Sequence, residues 1–185
     1  MRPLLDGLAN VDIAVINGPR AVVVAGDEEA AFEVGRRVAA LGRRTTRLRT
    51  SHAFHSCRMD PMLEAFGRVL ETISFWPPRI PVVSNLTGKF FTNEEVTSAE
   101  YWVRHVRGAV RFSDGLRAVV DAGATTFLEL GPHGVLTPLA QRSVSDAEAA
   151  QLTFASALRK DRAEPDMLVR ALCTMHARGQ LAEVS

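Results

Sequence analysis

The chain has 185 residues, 46% of them hydrophobic and 23% charged, with 22 Lys and Arg against 21 Asp and Glu. That is a globular balance, long enough for one ordinary domain or two small ones, and a net charge of +1 supplies no overall field for nucleic acid or an anionic membrane. The two cysteines, Cys57 and Cys173, form neither a CxxC pair nor a ladder, which argues against a disulfide framework or zinc site; no apolar run approaches the ~20 residues that span a bilayer, and the N-terminus lacks a signal peptide's apolar centre. The expectation is a cytoplasmic protein.

Residues 11–16, VDIAVI, read as a strand closed by Asn17-Gly18-Pro19, and 21–25, AVVVA, as a second strand ended by Gly26-Asp27. Asp27 is placed as an N-cap, with Glu28 and Glu29 in a favourable first turn. Ala31, Val34, Val38 and Leu41 follow at helical spacing, and Gly42 ends the helix. Residues 44–50, RTTRLRT, read as a third strand, so 11–50 is expected to form a β-β-α-β, ferredoxin-like subdomain. After SHAFHS (51–56), Asp60-Pro61 predicts a helix start. Met62, Leu63, Phe66, Val69, Leu70 and Ile73 then give an apolar stripe, broken by WPPRIP at 76–81.

Further on, VVS at 82–84 predicts a short buried strand before an Asn85–Gly88 turn. Helices are expected over 98–107 and 113–122, a strand over 125–130, and a turn at Gly131-Pro132-His133-Gly134 into a helix through 144. A last strand (152–158) and a helix from Pro165 to about 178, stopped by Gly179, complete the pattern. Strand and helix alternate here as in parallel α/β layers. The divisions expected are 11–50, 51–150 and 151–185.

Of the five histidines, His52, His55, His105, His133 and His176, no two have HExxH spacing and none lies in a Cys/His cluster, so no metal is expected. His55 stands out by place: it follows a strand and precedes a helix, where α/β folds put working residues. An imidazole there suits a general base, which needs a nucleophile in reach and an acceptor that fixes its tautomer. The nucleophile-elbow pattern GxSxG does not occur in residues 1–185. Cys57 is two residues away, a spacing at which helical side chains do not face each other, and reads as a packing residue.

Five blocks occur in order: INGPRAVVVAGD (16–27), SHAFHSCRMDPMLEAF (51–66), RIPVVSNLTG (79–88), YWVRHVRGAVRFSDGL (101–116) and FLELGPHGVL (127–136). Together they resemble the C-terminal half of a modular (type I) polyketide synthase acyltransferase domain, a relative of malonyl-CoA:acyl carrier protein transacylase, from about residue 12 to 181. Residues 158–180 resemble the linker that follows such domains. The resemblance implies an α/β fold: the ferredoxin-like subdomain plus the C-terminal portion of an α/β-hydrolase-like core. It implies acyl transfer through an acyl-serine, with malonyl-CoA as donor, the phosphopantetheine arm of an acyl carrier protein as acceptor, and no bound cofactor.

By the same resemblance, His55, last of the tetrad His52-Ala53-Phe54-His55, is the general base. A main-chain carbonyl in the YWVRHVR block, placed at His105, orients it. His52 and Phe54 belong to the wall that judges the acyl group, and HAFH accompanies malonyl units. Asn17 either lines the acyl site or supports its own turn; His133 belongs to a structural turn. The family commonly has proline where Cys57 stands.

The family's GHSxG serine, oxyanion-loop glutamine and carboxylate-binding arginine belong upstream of the first block. The expectation is therefore a part-domain, inactive alone, with apolar surface exposed where the rest of the core would sit. Its implied partners are an acyl carrier protein and other synthase domains or a missing N-terminal half. The alternatives are half of a split enzyme, or a non-catalytic module in which Arg43, Arg44, Arg47 and Arg49 either meet an acidic carrier surface or form a solvated strand face.

Overall fold

The structure, a computed structural model, describes residues 1–179. They group into two compact units, Met1–Gly115 and the residues from Leu116 onward.

The first unit begins with a 3-10 turn, Arg2–Leu4, and an antiparallel hairpin of β1 (Val11–Gly18) and β2 (Ala21–Gly26). Its register shifts between Ile13 and Val15 and between Ile16 and Gly18, which leaves Ala14 and Asn17 as the extra residues of two bulges. Gly26 has φ +152, and a Cβ there would lie 2.0 Å from the Asn10 carbonyl oxygen, so the close approach requires glycine. Helix α1 (Glu28–Ala40) buries Val34 and ends before Gly42, in the left-handed region. Asp27 starts α1 as expected but makes no side-chain cap bond; its carboxylate instead takes the guanidinium of Arg58 and the amide of Asn10.

The third strand expected over 44–50 does not form: these residues are exposed and join no ladder. One reason is that β1's second edge is occupied. The Ile16 amide donates to the Val110 carbonyl and the Val110 amide to that of Ala14, both at 2.8 Å. Another is that Arg47 holds the segment over α1, paired with Glu28 at 2.7 Å and 5.1 Å above the Phe32 ring. The ferredoxin-like expectation is thus met only as far as β-β-α.

The helix expected from Asp60-Pro61 starts differently. Ser56 caps a 3-10 turn, Cys57–Met62, which contains Pro61, and α2 (Leu63–Glu71) follows. The Ser56 hydroxyl accepts the Arg58 amide and donates to the Ala53 carbonyl, which tightens the entry before an α-helical turn can close. Residues 82–84 are not a buried strand. Val83 makes one bridge to Phe90, and Val82 is exposed. What is buried there is Ser84, whose hydroxyl meets the Tyr101 hydroxyl at 2.6 Å and accepts the amides of Leu86 and Thr87.

Helices α3 (Asn93–Thr97), α4 (Ala99–Arg107) and α5 (Phe112–Asp121) follow, the first two capped by Thr92 and Ser98. Helix α2 packs on α4, where Gly67 faces Val103. Met59, Leu70 and Tyr101 are buried in this unit, whereas Trp76 is 81% and Ile80 76% exposed.

The second unit is a strand–helix–strand arrangement: β3 (Thr126–Glu129), α6 (Leu136–Ser143), α7 (Asp146–Ala149), β4 (Thr153–Ser156) and α8 (Glu164–Ala177). β3 and β4 pair in parallel, and the rings of the paired Phe127 and Phe154 stack 5.0 Å apart. Both α6 and α8 pack on β4, over a core that includes Ala140, Leu152, Ala155, Ala171 and Met175. This is the alternation the sequence predicts. The end of the expected 151–185 segment, residues 180–185, lies outside the described residues.

Candidate active site

His55 sits in the turn between the exposed 43–50 segment and the 3-10 turn, half-buried, with φ +59. A non-glycine residue in the left-handed region is uncommon and costs on the order of 1–2 kcal/mol. Its Nδ1 lies 2.8 Å from the carbonyl oxygen of Gly108. A carbonyl only accepts, so Nδ1 carries the hydrogen, and in the neutral ring Nε2 is left as the acceptor. This is the form a general base needs.

The carbonyl that meets His55 belongs to Gly108, not to His105 as expected. The reason lies in how α4 ends. The Gly108 amide still donates to the Arg104 carbonyl, but its own backbone is extended (φ −78, ψ 157), which turns its carbonyl out of the helix. His105 lies one turn back, inside α4. Its contribution is its ring, which stands edge-on to His55 with centroids 6.0 Å apart and stacks against Tyr101. Burial, and secondarily the neighbouring His55, hold the His105 pKa below the usual histidine value. Near neutral pH His105 is therefore an uncharged wedge.

The remaining predicted residues are less closely gathered. His52 and Phe54 are exposed, with ring centroids 5.7 Å apart, and His52 Nδ1 meets the Ser51 hydroxyl at 2.9 Å. Asn17 is half-buried at the second bulge of β1, next to Ile16, which bonds Val110. Cys57 is not activated: burial, then the charge of Asp12, push its thiol pKa up.

Charged residues the sequence reading passed over surround the turn. The Asp12 carboxylate accepts the Cys57 amide at 2.8 Å, and Arg107 reaches both Asp12 (3.3 Å) and Asp60 (2.5 Å). Nothing in the spacing of residues 12, 60 and 107 announces this, because each sits on a different element. Gly108 had a local signal, a glycine directly after a helix rich in terminal cations. Among the described residues no group of His, Cys, Asp and Glu is arranged to hold a metal ion, and no helix is long and apolar enough to cross a membrane.

An imidazole whose tautomer is fixed by a main-chain carbonyl presents its second ring nitrogen as an acceptor. The sequence matches the acyl transferase domain family over residues 3–182. It is 48% identical over 180 residues to the polyketide synthase GfsA of Streptomyces halstedii, covering 96% of this chain and 2% of that protein. The acyltransferase domain from the second module of the salinomycin polyketide synthase superposes with a TM-score of 0.90 at 47% identity, covering 97% of this chain and 42% of that one. A malonyl-transacylase solved in complex with a type II polyketide synthase acyl-carrier protein superposes with a TM-score of 0.77 at 29% identity, covering 92% of this chain and 52% of that one. The chain belongs to the acyl transferase domain family, with modular type I polyketide synthases among its relatives. It spans about two fifths of the salinomycin domain's length.

Proposed function

We propose that this chain supplies the general-base side of a malonyl-CoA:acyl carrier protein transfer site. The observation that carries the reading is the His55 Nδ1–Gly108 carbonyl bond, which leaves Nε2 free to take a proton. In the first step Nε2 accepts the proton of a serine hydroxyl as its oxygen attacks the malonyl thioester. The C–S bond breaks, and the proton passes to the departing CoA thiolate. In the second step Nε2 takes the proton of the phosphopantetheine thiol, whose sulfur attacks the acyl-serine. The C–O bond breaks and the serine recovers its proton.

The serine is not in residues 1–185, since no GxSxG is present. We therefore assign the nucleophile to a separate portion of the same fold, and the chain alone is inactive. The solvent-exposed Trp76, Ile80 and Leu130 are consistent with surface that such a portion would cover. Phe54, with His52, occupies space an α-methyl would need, which favours malonyl over bulkier units by about 1–3 kcal/mol. Asn17 is assigned to the acyl pocket. The exposed Arg43, Arg44 and Arg49 offer a cationic face to an acidic carrier protein.

Radiolabelled malonyl-CoA tests the reading. The chain alone should not label. Mixed with the GHSxG-bearing portion of a related domain it should, and transfer to holo carrier protein should require His55. Labelling of the isolated chain, or full transfer with His55→Ala, overturns it.

A further inference from the structure

The bond between His55 and Gly108 joins two segments 53 residues apart in sequence, and something must hold each segment in place. Gly108 is the first residue past α4; His55 lies in a turn with an unfavourable backbone angle. We infer that Arg107 is a positioning residue for this pair, tying the end of α4 to the His55 turn through Asp12 and Asp60. Its place is suited to the task, since it directly precedes Gly108. Its Nε meets Asp60 Oδ1 at 2.5 Å, within the 3-10 turn that follows His55, and its Nη1 meets Asp12 Oδ2 at 3.3 Å. That same Asp12 oxygen accepts the Cys57 amide at 2.8 Å, two residues after His55. One planar guanidinium thus reaches the segment by two routes, which its several donors allow and a lysine's single nitrogen reproduces only in part. Asp12 is fixed in turn by β1, which Val110 also joins, two residues past Gly108. The loop of contacts closes: Gly108, Arg107, Asp12, Cys57, His55.

A residue of this kind acts on the imidazole's tautomer and aim, where small displacements cost rate steeply. It rests on the reading of His55 as the base, but its test does not require turnover. In the full 185-residue chain, long-range nitrogen–proton NMR of the histidine rings should show His55 with the hydrogen on Nδ1. Arg107→Gln should lose that signature, giving the tautomer mixture of a mobile imidazole, and Arg107→Lys should restore part of it. Asp60→Ala, at an exposed acid, removes one route and should give a smaller shift. In the complemented transfer assay Arg107→Gln should lower kcat about tenfold to a hundredfold with KM for malonyl-CoA unchanged.

An Arg107→Gln chain that folds and keeps His55 wholly in the Nδ1–H form overturns the inference. If Arg107→Gln does not fold, Asp60→Ala is read in its place, and an unshifted tautomer there has the same meaning. Loss of the folded spectrum in both variants also overturns it, because Arg107 would then serve the fold at large. If the tautomer shifts as stated but His55→Ala leaves transfer intact, the positioning role stands and the functional reading fails.

Discussion

His55 Nδ1 and the Gly108 carbonyl oxygen are 2.8 Å apart, and they meet because both backbones leave regular structure at that point. Gly108 turns extended at the end of α4, while His55 adopts φ +59. Without the first change the carbonyl would point along the helix axis. The second change aims the ring at it. A carboxylate partner would bring a countercharge to the ring; a carbonyl fixes the tautomer without one.

The left-handed backbone at His55 gives a first prediction. His55→Ala and His55→Gly both remove the bond to Gly108, but only alanine keeps a Cβ that disfavours φ +59. Chemical denaturation should therefore find His55→Gly more stable than His55→Ala by about 1 kcal/mol. In the complemented assay both should lose transfer by about 10²–10⁴-fold. Equal stabilities would mean that the turn relaxes once the imidazole is gone.

Gly108 and His105 can be told apart by substitution. A Cβ at Gly108 would lie 2.5 Å from Leu86 Cδ1 and 3.0 Å from the Arg104 carbonyl oxygen. The leucine methyl can swing away, but the helix carbonyl cannot, so the 108 peptide must shift. Gly108→Ala should then loosen the His55 bond, read as loss of the Nδ1–H tautomer and of transfer. His105→Phe keeps a ring in the same aromatic cluster and every backbone carbonyl, so it should retain the tautomer and at least half of the transfer rate. The reverse pattern would return the orienting role to His105.

His105 also sets a pH dependence. Its folded pKa lies below the usual 6.5, because burial and then the His55 charge disfavour its protonated form. Between those two values the unfolded chain binds more protons than the folded one, so stability rises with pH. The contribution is complete above about pH 6.5 and is lost as pH falls through the lowered folded value. Thermal melts from pH 7.5 down to 5 should show a declining midpoint in the native chain and a shallower decline in His105→Phe. Identical slopes would show that His105 does not titrate with unfolding.

How far the sequence speaks depends on whether a feature is local. The hairpin, α1, α4 and the parallel β3–β4 unit follow from period, glycine and capping signals that lie within each segment. The strand expected over 44–50 did not form because strands need a partner edge. Residues 44–50 show β-branched and basic residues but say nothing of Val110 occupying β1. Ser56 was overlooked as the cap since Asp60-Pro61 is the stronger local signal, and only the hydroxyl's bonds to Ala53 and Arg58 decide between them. At the candidate site, His55 stands out in the sequence by its position and its motif. Gly108 was missed by three residues, because the end of α4, and so the carbonyl that turns outward, is settled by backbone angles. The Asp12–Arg107–Asp60 cluster is wholly tertiary.

The second unit offers a prediction independent of acyl transfer. Glu129, at the end of β3, turns its carboxylate onto the start of α6. It accepts the amides of Val135, Leu136 and Thr137 and the hydroxyl of Thr137, at 2.8–2.9 Å. Burial alone would raise the pKa of this carboxyl, but the hydrogen bonds from Leu136, Thr137 and Val135 together outweigh it and hold the pKa below the usual 4.5. A carboxyl depressed in the folded state adds stability that is complete above about pH 4.5 and lost as pH falls through the folded value. Glu129→Gln keeps one acceptor oxygen and should cost about 1 kcal/mol at pH 7, and Glu129→Ala about 2–3 kcal/mol, since it leaves the first amides of α6 without their anion. Amide exchange at Val135–Thr137 locates the effect: it should quicken in both variants, while the amides of the β1–β2 hairpin hold their native rates. Acid melts of Glu129→Gln should lose part of the native decline below pH 4.5. Native-like exchange at those three amides would mean that α6 is held by its packing on β3 and β4 rather than by this carboxylate.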